Sequence, residues 1–303
     1  MSVTAVVLLT ISAVTHAGWN LLAKRQQRPS ASFFLVANSV GFVLFTPFLF
    51  AHVSALAAFP VQVWGLLAAA GLFMAVYYCC LAGAYRAGDM SIAYPLARSV
   101  SIVVVTAVTF MLGRQDQLSG QCVVGIVLVV AGCSLIPHQR FSALRLKNYL
   151  NAACMLGLAA AFATAAYSMT DDEALRQLRI ALDGNLNTVS ITIIYACLES
   201  LSASLWLTLF VGAAATGRAR FREVVRFHKR TALITGLGIY GTYTLVLISM
   251  AFVHNVSYVV AFRQLSIPLG AGLGVVILGE PAYRPKIAGI AIMCLGLLLV
   301  GTG

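Results

Sequence analysis

Three ionisable side chains lie well inside long apolar stretches of the sequence: Arg98, Glu199 and Arg263. A lone charge near the middle of a bilayer costs about 2.5–3.5 kcal/mol on insertion scales, so such residues usually face a polar cavity or pair with one another. Two arginines would attract an anionic group of a ligand, while a glutamate could hold its cation or carry a proton. The spacing leaves open a second interpretation, in which a buried Arg–Glu pair only locks two helices together.

Aromatic residues share a helical face with two of these charges. Tyr94 precedes Arg98 by four residues, and Tyr195 and Trp206 stand four before and seven after Glu199. Positions four and seven apart lie on one side of an α-helix. We therefore predict that both stripes line a single central cavity that binds a substrate.

Four further side chains extend this set of candidates. Tyr78 and Tyr243 lie away from the expected headgroup regions, where a hydroxyl needs an acceptor or water, although helix packing explains any one tyrosine equally well. Asn20 is an amide inside an apolar stretch, and it needs either the substrate or a neighbouring helix as its partner. Trp19 could line the cavity or serve as an interfacial anchor.

A proline lies close to the last of the three charges. Pro268 is in the middle of an apolar stretch, five residues after Arg263. Because a proline inside a helix removes one backbone hydrogen bond and bends the helix, we predict a kink here. Such a kink could act as the hinge of a conformational change.

The stretches that hold these residues are typical of a membrane protein. Of the 303 residues, 60% are hydrophobic and only 10% are charged, whereas roughly a quarter are charged in soluble domains. The apolar runs approach the roughly 20 residues that a transmembrane helix needs. We predict an all-α integral membrane protein with ten transmembrane helices, near residues 3–23, 31–51, 61–85, 91–112, 119–136, 148–169, 189–213, 231–253, 257–278 and 285–302.

These predicted spans form two similar halves, residues 1–140 and 141–303. Placing Leu112-Gly113 on Leu278-Gly279 sets an offset of 166 residues between the two. Because each half has five spans, the second half enters the membrane from the opposite side. Inverted repeats of this kind place their binding site at the interface of the halves, near mid-membrane.

Basic residues are distributed unevenly between the predicted loops. The odd-numbered loops contain 15 Lys and Arg residues, and the even-numbered loops contain three. Cytoplasmic loops carry the excess of basic residues, so the odd-numbered loops should face the cytoplasm and both termini should lie outside. The net charge of +11 thus concerns membrane orientation, and we expect no nucleic-acid partner.

The longest even-numbered loop, residues 170–188, has leucines at helical spacing: Leu175, Leu178 and Leu182. This pattern predicts a short amphipathic helix on the outer surface, with a solvated linker as the alternative. The acidic residues 171–173 are assigned to the same solvated loop.

The seven cysteines lie mostly within apolar stretches and lack metal-ligand spacing. They are typical of small buried hydrophobic residues. We therefore expect no disulfide framework, no metal and no other cofactor.

Several short motifs resemble one known family. They are HAGWNLLAK at the end of the first span, Ala93-Tyr94-Pro95 at the start of the fourth, LGEP after the ninth, and glycine-spaced fifth and tenth spans. In order and spacing these motifs resemble the drug/metabolite transporter superfamily, in its ten-helix branch of two EamA-type units. The first unit departs from the family in ending Leu-Gly-Arg-Gln, so Glu280 has no acidic counterpart. Family members usually keep both termini in the cytoplasm, contrary to the distribution of basic residues.

The inverted repeat, the polar stripes and the resemblance together predict a secondary transporter rather than an enzyme. It would move a small polar metabolite, such as an amino acid, an amine or a carboxylate- or phosphonate-bearing compound, by alternating access. We expect it to be a multi-pass protein of the plasma membrane (the bacterial inner membrane), with protons as a candidate coupling ion. A flippase for a lipid-linked anion is the alternative, and an intramembrane enzyme is a weaker one.

Overall fold

The computed structural model of this chain describes residues 1–23, 30–87, 90–141, 151–279 and 281–303. These residues form helices and turns, and no strand occurs among them. In chain order the α-helices are α1 (Val3–Ala23), α2 (Ala31–Ala51), α3 (Val61–Ala87), α4 (Met90–Met111), α5 (Gly120–Leu135), α6 (Ala152–Ala181), α7 (Thr188–Ala213), α8 (Ala215–Glu223), α9 (Lys229–Ser249), α10 (Val256–Phe262), α11 (Ser266–Leu278) and α12 (Arg284–Thr302).

Polar residues define several helix starts. The side chains of Ser30, Ser119, Asn151, Asn187 and Asn255 each accept a hydrogen bond from a backbone N–H in the first turn of the helix that follows. Such caps satisfy donors that have no partner inside the helix. The helices therefore begin where the sequence turns from a polar residue to an apolar run.

Within the described residues, seven helical segments are long and apolar enough to cross a membrane. They are Ala31–Ala51, Val61–Ala84, Ala152–Ala181, Thr188–Ala213, Ala215–Phe252, Val256–Ile277 and Arg284–Thr302. Three shorter apolar helical segments, Val3–Gly18, Arg98–Met111 and Gly120–Leu135, occupy the positions of the first, fourth and fifth predicted spans. The prediction of an all-helical, multi-pass membrane protein is confirmed at this level.

Large apolar side chains are exposed on the outer faces of the helices. Examples are Val7, Val43, Phe50, Val127, Leu209 and Leu298, all about half exposed or more. In water this much exposed apolar surface would be costly, whereas lipid tails cover it without penalty. The outer surface thus agrees with a bilayer environment.

The main helix pairs include α3 with α6, α5 with α12, α2 with α7, α4 with α6, and α1 with α9. Glycines permit the closest of these approaches. A Cβ atom on Gly132 would lie 2.6 Å from the carbonyl oxygen of Gly289, and one on Gly125 would lie 2.6 Å from that of Gly296. Small residues at such contacts let helices pack closely in lipid.

The sixth helix differs from its prediction. Helix α6 continues without interruption to Ala181, and Leu175, Leu178 and Leu182 are almost completely buried. The predicted amphipathic helix on the outer surface is therefore wrong in its placement. Its leucines belong to the main hydrophobic core, because the segment extends α6 into the bundle. The predicted start of this span near residue 148 lies outside the described residues.

The connection between the seventh and eighth spans is also more ordered than predicted. Residues expected in a basic loop form α8 and then a π-helical turn, Val224–His228, that leads into α9.

Candidate functional site

Asp171 lies at the centre of a cluster of buried polar side chains. It is fully buried in α6. The hydroxyl of Tyr195 on α7 donates a hydrogen bond of 2.7 Å to Oδ1, and the hydroxyl of Tyr243 on α9 donates one to Oδ2. Two donors from two helices thus hold one carboxylate inside the bundle.

Glu199 is a second acidic side chain with no solvent exposure. It lies on α7, one turn after Tyr195, and it interacts electrostatically with Asp171. Among the described residues, neither of its carboxyl oxygens accepts a hydrogen bond, although Tyr243 is close to it. The predicted Arg–Glu pair is therefore not formed in this conformation.

Arg263 lies where the ninth predicted span is interrupted. Residues Arg263–Leu265 form a 3₁₀ turn between α10 and α11. The guanidinium donates from Nη2 to the hydroxyl of Tyr167 on α6 at 3.0 Å, and it interacts electrostatically with Asp171. Its Nη1 is buried and has no hydrogen-bond partner among the described residues. This nitrogen therefore carries donors that the described residues leave unused.

Arg98, which lies on α4, donates hydrogen bonds to the turn that interrupts the ninth predicted span. Its Nη2 donates to the carbonyl oxygen of Arg263 at 3.3 Å and to Oγ of Ser266 at 3.2 Å. A carbonyl at a helix end carries partial negative charge and needs a donor inside a membrane. Arg98 thus has a structural function that the sequence did not indicate, so Arg263 becomes the stronger candidate to bind an anion.

A neutral network joins this cluster to α2. Asn38 donates from Nδ2 to the carbonyl oxygen of Ser200 and to Oγ of Ser204, both at 2.9 Å. Its Oδ1 accepts from the hydroxyl of Tyr240 at 2.6 Å. These contacts connect α2, α7 and α9 beside Glu199, which leaves the buried amide fully paired.

The other predicted site residues have different surroundings. Tyr78 stacks on Phe34 with ring centroids 4.8 Å apart, and it lies within electrostatic range of Glu199. Trp206 points to α3, where its indole N–H donates to the carbonyl oxygen of Ala68 at 3.0 Å, so this contact serves helix packing. The side chains of Trp19, Asn20 and Tyr94 lie outside the described residues, as does Glu280.

The 3₁₀ turn and the predicted hinge are adjacent. Pro268 is the third residue of α11, immediately after the turn. A proline is tolerated in the first turn of a helix because the N–H it lacks has no intrahelical partner there. The interruption falls beside Arg263, and the function of Pro268 as a kink and hinge stays a prediction.

Sequence reasoning missed Asp171 and Asn38. A usable signal existed for Asp171, since it stands four, seven and eleven residues before the three buried leucines of α6. That spacing puts it on the apolar face of the helix. An acid on the buried face of a membrane helix is a functional candidate by default.

The cluster therefore combines opposite charges in a dry environment. Two buried acids and one partly unpaired arginine can bind complementary groups of one polar ligand, or exchange protons. Among the described residues no group of three or more His, Cys, Asp and Glu side chains could hold a metal ion, and all seven cysteines are free thiols.

No family model matches the sequence, and no curated protein matches it. Several solved structures match this chain, and one of them, a crystal structure of a protein, superposes on it with a TM-score of 0.68. The match covers 99% of this chain and 96% of the other, at 16% sequence identity. The superposition establishes a shared fold over nearly the whole chain. Identity this low establishes no shared activity.

Proposed function

We propose that this protein is a secondary transporter for a small polar metabolite, of the drug/metabolite transporter type, that works by alternating access. The observation that carries the proposal is the buried cluster of Asp171, Glu199 and Arg263. Burying three charges in a small membrane protein is costly and is typical of a substrate or ion pathway.

The proposed architecture is ten spans in two inverted repeats, residues 1–140 and 141–303. The order of helix pairs supports it, since α1 packs on α9 as α6 packs on α3, and α5 packs on its counterpart α12. Gly113 and Gly279, which the offset of 166 residues makes equivalent, have similar left-handed φ angles of 68° and 65°. A twofold relation between the halves would account for both features.

The proposed substrate carries an anionic group, and a cationic group is compatible with the site. Arg263 would bind a carboxylate or a phosph(on)ate through Nη1, because that atom is buried without a partner among the described residues. Asp171 and Glu199 would face an amine. A hydrophobic drug would need fewer charges inside the membrane.

The proposed movement is a change at the interrupted ninth span. The turn at Arg263–Leu265 separates α10 from α11. Pro268 has no backbone N–H, so it cannot donate the hydrogen bond that a continuous helix would need at this position. Broken helices at mid-membrane are typical of binding sites in secondary transporters. Rocking of one half against the other would change the access to Arg263 from one side of the membrane to the other.

The proposed location is the plasma membrane. Orientation rests on the distribution of basic residues alone, which places both termini outside the cytoplasm.

Thermal stability of the detergent-purified protein tests the proposal. The panel contains amino acids, amines, carboxylates and phosphonates, and a compound that binds only the folded state stabilises it by about 2.7 kcal/mol at a hundred times its dissociation constant. We expect a compound with an anionic group to raise the melting midpoint of the wild type. The shift should vanish in Arg263→Ala and Glu199→Gln.

The Arg98→Ala variant separates the two arginines. If Arg98 only supports the helix break, this variant should melt at a lower temperature and still respond to the compound. An exposed control, Arg284→Ala, should behave as the wild type. Shifts that persist in the Arg263→Ala variant would place the binding site elsewhere, and a wild type that responds to nothing in the panel would favour the lipid flippase.

A further inference from the structure

The two buried acids of the cluster differ in how their charge is compensated. Asp171 accepts hydrogen bonds from Tyr195 and Tyr243 and lies within electrostatic range of Arg263. Glu199 accepts none from the described residues, and its electrostatic neighbour is another acid. The Tyr243 hydroxyl lies near both acids and donates to Asp171, so Asp171 has the better environment for an ionised carboxylate.

A bare carboxylate in such a place would be strongly disfavoured. Removing an ion from water is costly unless a partner and hydrogen bonds replace the solvent. Two acids that interact in a dry site do not both ionise readily, because each charge opposes the other. The arrangement is stable when one acid is ionised and its neighbour holds a proton.

We propose that Glu199 and Asp171 form the proton-binding site of the transporter, with the resident proton on Glu199 and the charge on Asp171. This inference rests on the proposed function, and it names the coupling ion. The proton would leave when the cluster opens to water: the O–H bond of Glu199 breaks, the proton passes to a water molecule, and a carboxylate remains.

Other ionisable groups interact electrostatically with the pair, and Asp172 is a third acid among them. These groups are Tyr78 on α3, Asp172 on α6, Tyr195 on α7, Tyr240 and Tyr243 on α9, and Arg263 at the turn after α10. His16 on α1 lies within electrostatic range of Arg263.

Arg263 connects the proton to the substrate. In the absence of an anion, its charge compensates Asp171. An anion bound to Nη1 would add negative charge beside the acid pair, and this charge is better tolerated when Glu199 holds its proton than when both acids are ionised. Binding of the anion and of the proton should therefore favour each other, and this coupling must be reciprocal.

Infrared difference spectroscopy tests proton binding without a substrate. The purified wild type at neutral pH should show the C=O stretch of a protonated carboxylic acid in a dry environment. The band should be absent in Glu199→Gln and present in the matched control Glu173→Gln, whose partly exposed carboxylate pairs with Arg176. No such band in the wild type, or a band that survives Glu199→Gln and disappears in Asp171→Asn, would overturn the assignment.

Proteoliposomes test coupling. The probes are a mixture of radiolabelled amino acids and, separately, radiolabelled methylphosphonate, each with and without a pH gradient. The wild type should accumulate a probe above its equilibrium level only with the gradient. Glu199→Gln should lose that accumulation at equal amounts of folded protein, whereas the control Glu173→Gln should keep it. An unchanged gel-filtration profile and a cooperative melting transition show that Glu199→Gln is folded.

The two experiments distinguish failure of the proton-binding assignment from failure of the proposed transport function. Transport that does not depend on the pH gradient, or accumulation that persists in Glu199→Gln, would overturn the proton-binding assignment. Either result would still agree with the proposed transport function. If no probe moves in the wild type, the transport function fails for these substrates, and coupling fails with it, whatever the infrared band shows.

Discussion

At the scale of single residues, the cluster depends on hydrogen bonds to a buried acid, which take the place of its hydration. Asp171 is paired by two tyrosines from different helices, while Glu199 is left without a donor among the described residues. This asymmetry gives the two acids different chemistry although both are fully buried. The local environment, rather than residue type, assigns their functions.

Removing one donor to Asp171 should measure that pairing. The change Tyr243→Phe deletes the hydroxyl and keeps the ring that packs against Tyr167. A hydrogen bond to a charged group contributes about 1.5–3 kcal/mol, so the variant should unfold at a lower temperature in detergent. Tyr283→Phe, at an exposed position, should melt as the wild type does. Equal melting of both variants would mean that Asp171 does not need the Tyr243 hydroxyl.

At the scale of helices, most elements could be predicted from apolar runs and polar caps. The limits of α2, α7 and α12 follow the sequence pattern closely. Residues 170–181 could not be placed in the same way, because a run of three acids is typical of a solvated loop. Only tertiary packing shows that one of the acids and the leucines beyond it are buried.

The site itself was harder to predict than its elements. Arg263, Glu199 and Tyr243 were identified because polar side chains in apolar runs are conspicuous. Asp171 was missed, and Arg98, which was predicted to bind a ligand, also supports the broken helix. A sequence shows which groups are out of place in lipid, but the partners of each group depend on helices distant in the chain.

Glycine contacts between α5 and α12 give a prediction at this scale. Gly132→Ala would place a Cβ atom 2.6 Å from the carbonyl oxygen of Gly289, so the two helices would have to separate. We expect a clearly lower melting temperature and lower yield in the membrane. Gly65→Ala on α3 is the matched control, since nothing lies within 4 Å of its added Cβ, and alanine favours a helix by about 1 kcal/mol over glycine. A stable Gly132→Ala protein would contradict the close packing of these helices.

At the scale of the whole molecule, the fold places charges from distant parts of the chain beside each other. Arg98 comes from the first half, and Asp171, Glu199 and Arg263 come from the second. A solved structure shares the overall fold at 16% identity, so these folds tolerate extensive change in sequence. In the proposed inverted repeat the substrate site would lie where the halves meet, and Arg98 of the first half contacts the turn at Arg263 of the second.

The central claim is that this cluster binds and moves a substrate. The direct measurement is uptake of the panel compounds into proteoliposomes that contain the wild type, Arg263→Gln or the exposed control Arg284→Gln. The account predicts saturable uptake of an anion-bearing compound by the wild type and the control, and its loss in Arg263→Gln at equal amounts of folded protein. Uptake that is the same in all three proteins would contradict it.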